Sequence, residues 1–579
     1  MNVWRYLLKY ASKYRYQYAF GILTLLIVDI AQLFIPLIIS RVINQLERAD
    51  MTSKDLYIHG FTIIGIAVLM SLMRFLWRYF IVLSAFRISR DMRDEIMEKF
   101  YSLPVSFFVK NKVGDLMANV VNDVDAVRYF TGIGLVALFD TVILTIMALG
   151  FMLYISPVLT AIALIPAPFI VAVMLYFEGP LLKRFNSIQE LFGKMSEKVK
   201  ESIEGIALIK LYRLFGMKKD EFKMLNNDYR RDNLVVTSID ALFHPVIEFL
   251  MMVTVAIIIY YGGITVIDGE INLGDFVAFT RYMDILIWPM IALGWIFSLY
   301  QRANSALKRI FAVLSQTNPI VSVENYTKEK IDGKICFDNV NFNYGDNNFT
   351  IKNVNVEIKN GMLAGITGKI GSGKTTLINL ILRLYDVTEG AVLIDDIDIK
   401  KYNVEFLREH IAYVPQETFL FSESVLENLL FADPEADMTK IEEALKTADA
   451  WNFINELPEG INTVIGERGV SLSGGQRQRL SLARALLLER PLIILDDCLS
   501  AVDSETEKNI LENLKKHWKK ITTIVVSHRL SAFSTADTIL VIDDGQIKEQ
   551  GTHDELKNNS VIYKSIFQKQ QLEKELLKS

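Results

Sequence analysis

Cysteine is almost missing from this sequence: two, Cys336 and Cys498, among 579 residues. They supply neither a disulfide framework nor a Cys/His zinc cluster, which fits a reducing compartment for the second half, where both lie. Charge is scarce too. Asp, Glu, Lys and Arg make up 22% of the chain against 51% hydrophobic residues, and the mean hydropathy is +0.27. That balance excludes a disordered or nucleic-acid-coating protein. No small-residue cleavage site follows Met1-Asn2-Val3-Trp4-Arg5, so a removable signal peptide is not expected. A chain this long exceeds one ordinary core, which implies at least two domains.

The formal charge of −5 conceals an asymmetry: residues 1–320 hold 32 Lys+Arg and 27 Asp+Glu, while 321–579 hold 30 and 40. A slightly basic half is joined to an acidic one.

Six apolar windows of about membrane length lie in the basic half: 20–39, 61–86, 133–155, 157–177, 245–267 and 276–300. A soluble helical bundle would need a polar face on each helix, and 157–177 carries no charged residue at all. Only Ser156-Pro157 joins the third window to the fourth, which predicts a tight membrane hairpin. The segments 87–130 and 178–242 are rich in Lys and Arg, the latter with twelve, whereas 268–275 has none. By the bias of basic residues towards the cytoplasm, both long connections and both termini belong on that side. These connections lack Gly/Pro clusters and are expected to continue the spans as helices. Trp4–Tyr18 alternates aromatics with Lys9, Lys13 and Arg15, the pattern of an interfacial anchor. Asp29, Arg74, Arg78, Asp140, Arg281 and Asp284 fall in or near spans, where charge either pairs and snorkels or lines a cavity in contact with substrate.

Beyond a polar linker at 311–330, short β-rich runs alternate with helical ones, implying an α/β domain over 331–579. Gly368-Lys369-Ile370-Gly371-Ser372-Gly373-Lys374-Thr375-Thr376 follows a strand-like run and opens a helix-like one, the context of a phosphate-binding loop. Its glycines let backbone N–H groups close on phosphate, Lys374 reaches the β/γ oxygens of ATP, and the Thr375 hydroxyl suits Mg²⁺. Leu492–Leu495 leads into Asp496-Asp497. Asp496 is placed to hold Mg²⁺ and Asp497 to orient or deprotonate an attacking water, although such a run taken alone fits any strand end.

Between these two elements lies Leu472-Ser473-Gly474-Gly475-Gln476, and here the sequence resembles the ATP-binding-cassette (ABC) family over nearly its whole length. The resemblance implies a polytopic α-helical membrane domain of the exporter type over 1–310, followed by an α/β P-loop ATPase domain. It implies that Tyr344 stacks on adenine, and that Gln416, in Tyr413-Val414-Pro415-Gln416, senses Mg²⁺ and the membrane domain. Thr463–Gly469 matches the segment ahead of the signature in exporters. The signature Ser473, Gly474, Gly475 and Gln476 would bind the ATP of a second cassette. Asp503, in Ser500-Ala501-Val502-Asp503, would cross the dimer interface, and His528 would contact the γ-phosphate. Ser106–Asp115 also matches the family's membrane half, and coupling helices are expected around 109–115 and 211–217. Leu242-Phe243-His244-Pro245 and Ile287-Trp288-Pro289-Met290 are closest to bacterial heterodimeric multidrug-type exporters.

One position departs from the pattern: the family's usual Glu after the strand-end Asp is Asp497 here. With an intact signature, this implies a chain whose own site is impaired while it completes a partner's. The expected partner is a heterologous half-transporter carrying the catalytic Glu and a damaged signature. The cargo implied is a hydrophobic or amphipathic small molecule crossing the cytoplasmic membrane, and no nucleic acid is expected. A homodimeric lipid or peptide exporter and an ATP-gated regulator are the alternatives.

Overall fold

The computed structural model describes residues 3–323, 330–345, 349–466, 472–517 and 521–576. The chain divides into two compact units, one of residues 1–101 and 113–316, the other of 102–112 and 317–579.

The first unit is helical throughout its described residues. Its long elements include Arg15–Glu47, Leu135–Ile155, Ala167–Glu204, Phe215–Ile267 and Leu273–Leu314. Ser53–Trp77 runs through a π-helical turn, Arg78–Val82, into Leu83–Ser102. Among the described residues, five helical stretches are long and apolar enough to cross a membrane. The remaining window, 157–177, is divided: Pro157–Leu164 ends at Ile165-Pro166 and a new helix starts at Ala167. Pro166 brings no N–H and clashes with the preceding turn, so it fits a helix boundary better than a helix interior. The tight hairpin ahead of it is made by Ser156, whose Oγ accepts the Leu159 N–H at 3.2 Å with Pro157 in the first turn.

Lipid-facing surface is explicit on Ser53–Trp77. Phe61, Ile64, Val68, Leu72 and Phe75 recur every three or four residues, and each is more than half exposed. An exposed apolar stripe of that length is the surface that a spanning helix presents to hydrocarbon.

Four amino-terminal tyrosines pack into the protein. Tyr6 and Tyr10 share a face of the helix Val3–Lys13, Tyr14 lies at the turn into Arg15–Glu47 and Tyr18 in that helix's first turn, and all four are buried in the protein. Tyr6 donates to Glu95 at 2.8 Å, Tyr14 to Asp91 at 2.9 Å and Tyr18 to the Thr131 carbonyl at 3.0 Å. Only Leu8 and Tyr16 among the large apolar side chains of this stretch remain well exposed. Two prolines, Pro36 and Pro289, are buried inside Arg15–Glu47 and Leu273–Leu314.

The second unit carries an antiparallel sheet, in the order Ile351–Ile358, Ile335–Phe342, Glu389–Ile394, Ile397–Asp398, and a larger, mostly parallel one. The larger sheet runs Gln546–Gly551, Thr538–Asp543, Leu363–Gly368, Thr522–Val526, Leu492–Asp496, Ile411–Val414. Leu492–Asp496 explains its apolar run. Leu492 and Ile494 pack with Leu377 and Ile381, while Ile493 and Leu495 pack on the opposite face with Leu480 and Ala483. A parallel strand covered on both faces has no polar side to alternate with. Leu363–Gly368, Leu492–Asp496 and Thr522–Val526 run in parallel, so their carboxyl ends converge at one edge.

Candidate functional site

At that edge Leu363–Gly368 turns through the phosphate-loop glycines into the helix Lys374–Ile381. Gly373 has φ +104°, and a Cβ there would stand 2.7 Å from Ile351 Cδ1, so a side chain would meet both backbone strain and a wall. The loop closes over a cavity of about 210 Å³ lined by Gly371, Lys374, Thr375, Thr376, Gln416, Asp496, Asp497 and His528. Residues separated by more than 150 positions in the sequence are thus gathered around one space.

Lys374 is buried, and its Nζ donates to the carbonyls of Gly368 at 3.1 Å and Lys369 at 2.8 Å. Burial pushes the ammonium's pKa down, and Asp497 and Asp496 pull it back up. Burial raises the pKa of the Asp496 carboxyl, the Thr375 hydroxyl beside it lowers it, Asp497 raises it again and Lys374 opposes that. His528 is held below its usual pKa, first by burial and then by the Lys374 charge, with Asp497 acting the other way. Asp497 has a left-handed backbone, φ +49°, and donates its N–H to the Val526 carbonyl at 2.9 Å. Aspartate is among the residues that tolerate this region.

At this site two buried oxygens, Asp496 Oδ2 and Ser372 Oγ, have no hydrogen-bond partner among the described residues. Such groups are costly unless something binds them. An acceptor carboxylate beside a threonine hydroxyl and a glutamine, at the mouth of a phosphate loop, fits Mg²⁺ held through oxygen ligands and phosphate. Asp496, Thr375 and Gln416 would hold the ion, which supplies charge neutralisation to the phosphates when bound.

The other sequence-predicted residues fall in two groups. Tyr344 adjoins the cavity: its hydroxyl donates to Thr376 Oγ1 at 3.1 Å, and its ring packs edge-on against Phe342 and Tyr385. Gly368 and Ser372 belong to the same loop. The signature and Asp503 are not among the residues that line the cavity. Ser473 caps the helix Gly474–Leu486: its Oγ accepts the Gln476 N–H at 3.2 Å, and Gln476 Oε1 accepts the Ser473 N–H at 2.8 Å. Gly475 is required by close approach, since a Cβ would stand 2.8 Å from the Ala501 carbonyl. Asp503 Oδ1 accepts the N–H groups of Thr506 and Glu505, which lowers its pKa. Of Thr463–Gly469, residues 467–469 lie outside the described residues.

Two side chains that join these parts were missed. Gln478, buried, donates to Ser500 Oγ at 3.1 Å and accepts the Ala501 N–H at 2.8 Å, tying the signature helix to the loop before Asp503. Arg529, next to His528, donates to the Ser500 carbonyl at 2.7 Å and pairs with the buried Glu507 at 3.3 Å. Their positions two residues past the signature and one past His528 were the available signal.

In the first unit, a cavity of about 620 Å³ is lined by Gln32, Arg74, Asp140, Arg281, Asp284 and Trp288, with apolar neighbours. Arg281 pairs with Asp284 at 3.3 Å, Arg74 donates to Gln32 at 3.4 Å and the Trp288 indole donates to Asp140 at 3.0 Å.

Spanning helices followed by a P-loop cassette with a strand-end Asp pair and a capped LSGGQ helix define an ABC exporter half-transporter. The comparisons agree: residues 18–290 match the ABC transporter transmembrane region and 351–500 match the ABC transporter domain, and the chain belongs to the ABC transporter family. It is 35% identical to the probable multidrug resistance ABC transporter ATP-binding/permease protein YheI of Bacillus subtilis, over 96% of each chain. It is 34% identical to the multidrug resistance-like ATP-binding protein MdlA of Escherichia coli, covering 96% of this chain and 95% of that one. The ATP-dependent lipid A-core flippase of Nitrosococcus oceani is 31% identical over 98% of this chain and 96% of its own length. In fold it matches a bacterial Atm1-family ABC exporter with ATP bound, at a TM-score of 0.79 and 23% identity, covering 96% and 98% of the two chains. The protein is therefore membrane-embedded and multi-span, with a cassette of the class that hydrolyses ATP to drive transport and acts as a dimer.

Proposed function

We propose that this chain is one half of a heterodimeric exporter that uses ATP to move hydrophobic or amphipathic small molecules out across the cytoplasmic membrane, with both termini on the cytoplasmic side. Its own nucleotide site is slow, and its signature completes the partner's site. The observation that carries this reading is Asp497 beside Lys374, Asp496 and His528 in the nucleotide cavity, in a chain whose LSGGQ is intact. Aspartate is one methylene shorter than glutamate, so its carboxylate stands back by roughly 1.5 Å, and misplacement of that order costs about a hundredfold in rate. The Asp497 N–H donates to the Val526 carbonyl, a bond that opposes an advance of the backbone to close the gap. The signature residues, away from that cavity in their own chain, suit service to the nucleotide of a second cassette. The relatives named as multidrug transporters support the cargo class.

The test is ATPase activity of the purified chain, alone and with a partner half-transporter. Alone it should turn over slowly. In the pair, Asp497→Glu should speed one of two sites. Robust turnover by the chain alone, abolished by Asp497→Asn, would overturn the heterodimer reading. A lipid flippase is the second reading, favoured by the Nitrosococcus oceani relative. Translocation of headgroup-labelled lipid in proteoliposomes distinguishes it from small-molecule efflux.

A further inference from the structure

Asp29 is the one charged side chain of Arg15–Glu47 that is fully enclosed, at 1% exposure, and neither of its carboxylate oxygens has a hydrogen-bond partner among the described residues. The carboxyl group of Asp140, on Leu135–Ile155, lies beside it. Asp140 lines the 620 Å³ membrane cavity, so Asp29 stands directly behind the cavity wall.

Few charged groups lie near Asp29 on the elements packed around it. Ser53–Trp77 brings Arg74, whose guanidinium donates to Gln32 and acts on both carboxyls. The adjoining turn Arg78–Val82 brings the exposed Tyr79 and Arg78, whose guanidinium lies over the Trp77 ring at 5.4 Å and acts on neither carboxyl, leaving Arg74 as the one arginine that does. Leu273–Leu314 brings Arg281 and Asp284, which neutralise each other at 3.3 Å, and Trp288, which donates to Asp140. Two carboxyls therefore share one arginine. Fully ionised, this cluster would hold an uncompensated negative charge inside the membrane domain, an arrangement that the poorly solvating interior strongly disfavours. One proton makes it neutral. That proton also supplies the missing donor between two acceptor groups that otherwise repel each other.

We propose that Asp29 and Asp140 form a proton-binding pair in the wall of the membrane cavity, holding a single proton between them. Asp29 is its dry side and Asp140 its cavity side, so the proton leaves through Asp140, to water or to whatever base occupies the cavity. A cationic group seated against Asp140 would take the proton's place and keep the cluster neutral. This inference concerns the proton alone and does not depend on the heterodimer or on the nature of the cargo.

Infrared spectroscopy of the full-length protein in lipid nanodiscs at neutral pH tests it, through the carbonyl stretch of a protonated carboxylic acid and its downshift in D₂O. The wild type should show such a band. Asp29→Asn and Asp140→Asn should each remove the same band, because one carboxyl with one arginine is already neutral and ionises. Asp140→Glu, which keeps a carboxyl, should shift the band without removing it, and Arg74→Gln should strengthen it. Absence of the band in the wild type, or its survival in both Asn variants, would overturn the proposal. Loss in only one of them would overturn the sharing of the proton.

Discussion

His528 shows how much a single position inherits from its neighbours. Burial and the Lys374 ammonium favour its neutral imidazole, with Asp497 opposing them. Its folded pKa lies below the ordinary value, so as pH falls through about 6.5 the unfolded chain takes up the proton first and the folded state loses stability. Histidine NMR of the full-length protein should find this ring uncharged at a pH where a free imidazole has titrated. Gln416 lies in the same cavity. Gln416→Ala should leave nucleotide binding within a few-fold while uncoupling ATP turnover from transport. Fluorescent-nucleotide titration alongside an efflux assay checks this, and normal transport by the variant would remove Gln416 from the coupling route. Residues inside contiguous motifs were legible from sequence because their chemistry and spacing are local. Thr350 and Ile370, which also line the cavity, were not assigned a role, since tertiary packing alone brings Thr350 there.

Among elements, the signature helix owes its start to two reciprocal bonds between Ser473 and Gln476, and its place to Gln478. Gln478→Leu removes a donor and an acceptor at once, stranding the Ala501 N–H, at a cost of about 1–3 kcal/mol. The expected outcome is a lower melting temperature and reduced ATPase activity, with ATP affinity at the chain's own phosphate loop little changed. A thermal shift assay paired with nucleotide titration separates the two effects. The parallel core strands could be read in advance because runs such as Leu492–Leu495 have no polar side. The break at Ile165-Pro166 escaped notice, since hydropathy averages across a proline that geometry does not ignore. The protein partners of the amino-terminal tyrosines were not legible for a related reason: aromatics at four-residue spacing do not say what they pack against, and Glu95, Asp91 and the Thr131 carbonyl come from distant parts of the sequence.

For the whole molecule, the boundary with lipid is its largest uniform feature. Val68 sits in the exposed stripe of Ser53–Trp77 at 64% exposure, near the middle of that helix. Val68→Arg should disfavour insertion by about 3 kcal/mol. The check is the membrane-integrated fraction after translation into membranes, with wild type and Val68→Leu as references; an unchanged fraction would place Val68 away from hydrocarbon. That the chain joins a spanning half to a water-soluble one was plain from composition, because bilayer and water impose different residue usage over long stretches; nucleotide binding was legible only from the Gly368–Thr376 loop. How the spanning helices yield when the molecule works depends on something smaller. Pro36 and Pro289 offer no N–H to the carbonyls of Gln32 and Ile285, one turn before them, and both of those residues line the membrane cavity. Bending either helix at that turn costs one backbone hydrogen bond fewer than elsewhere, so the wall of the cavity yields most easily where its contents press on it.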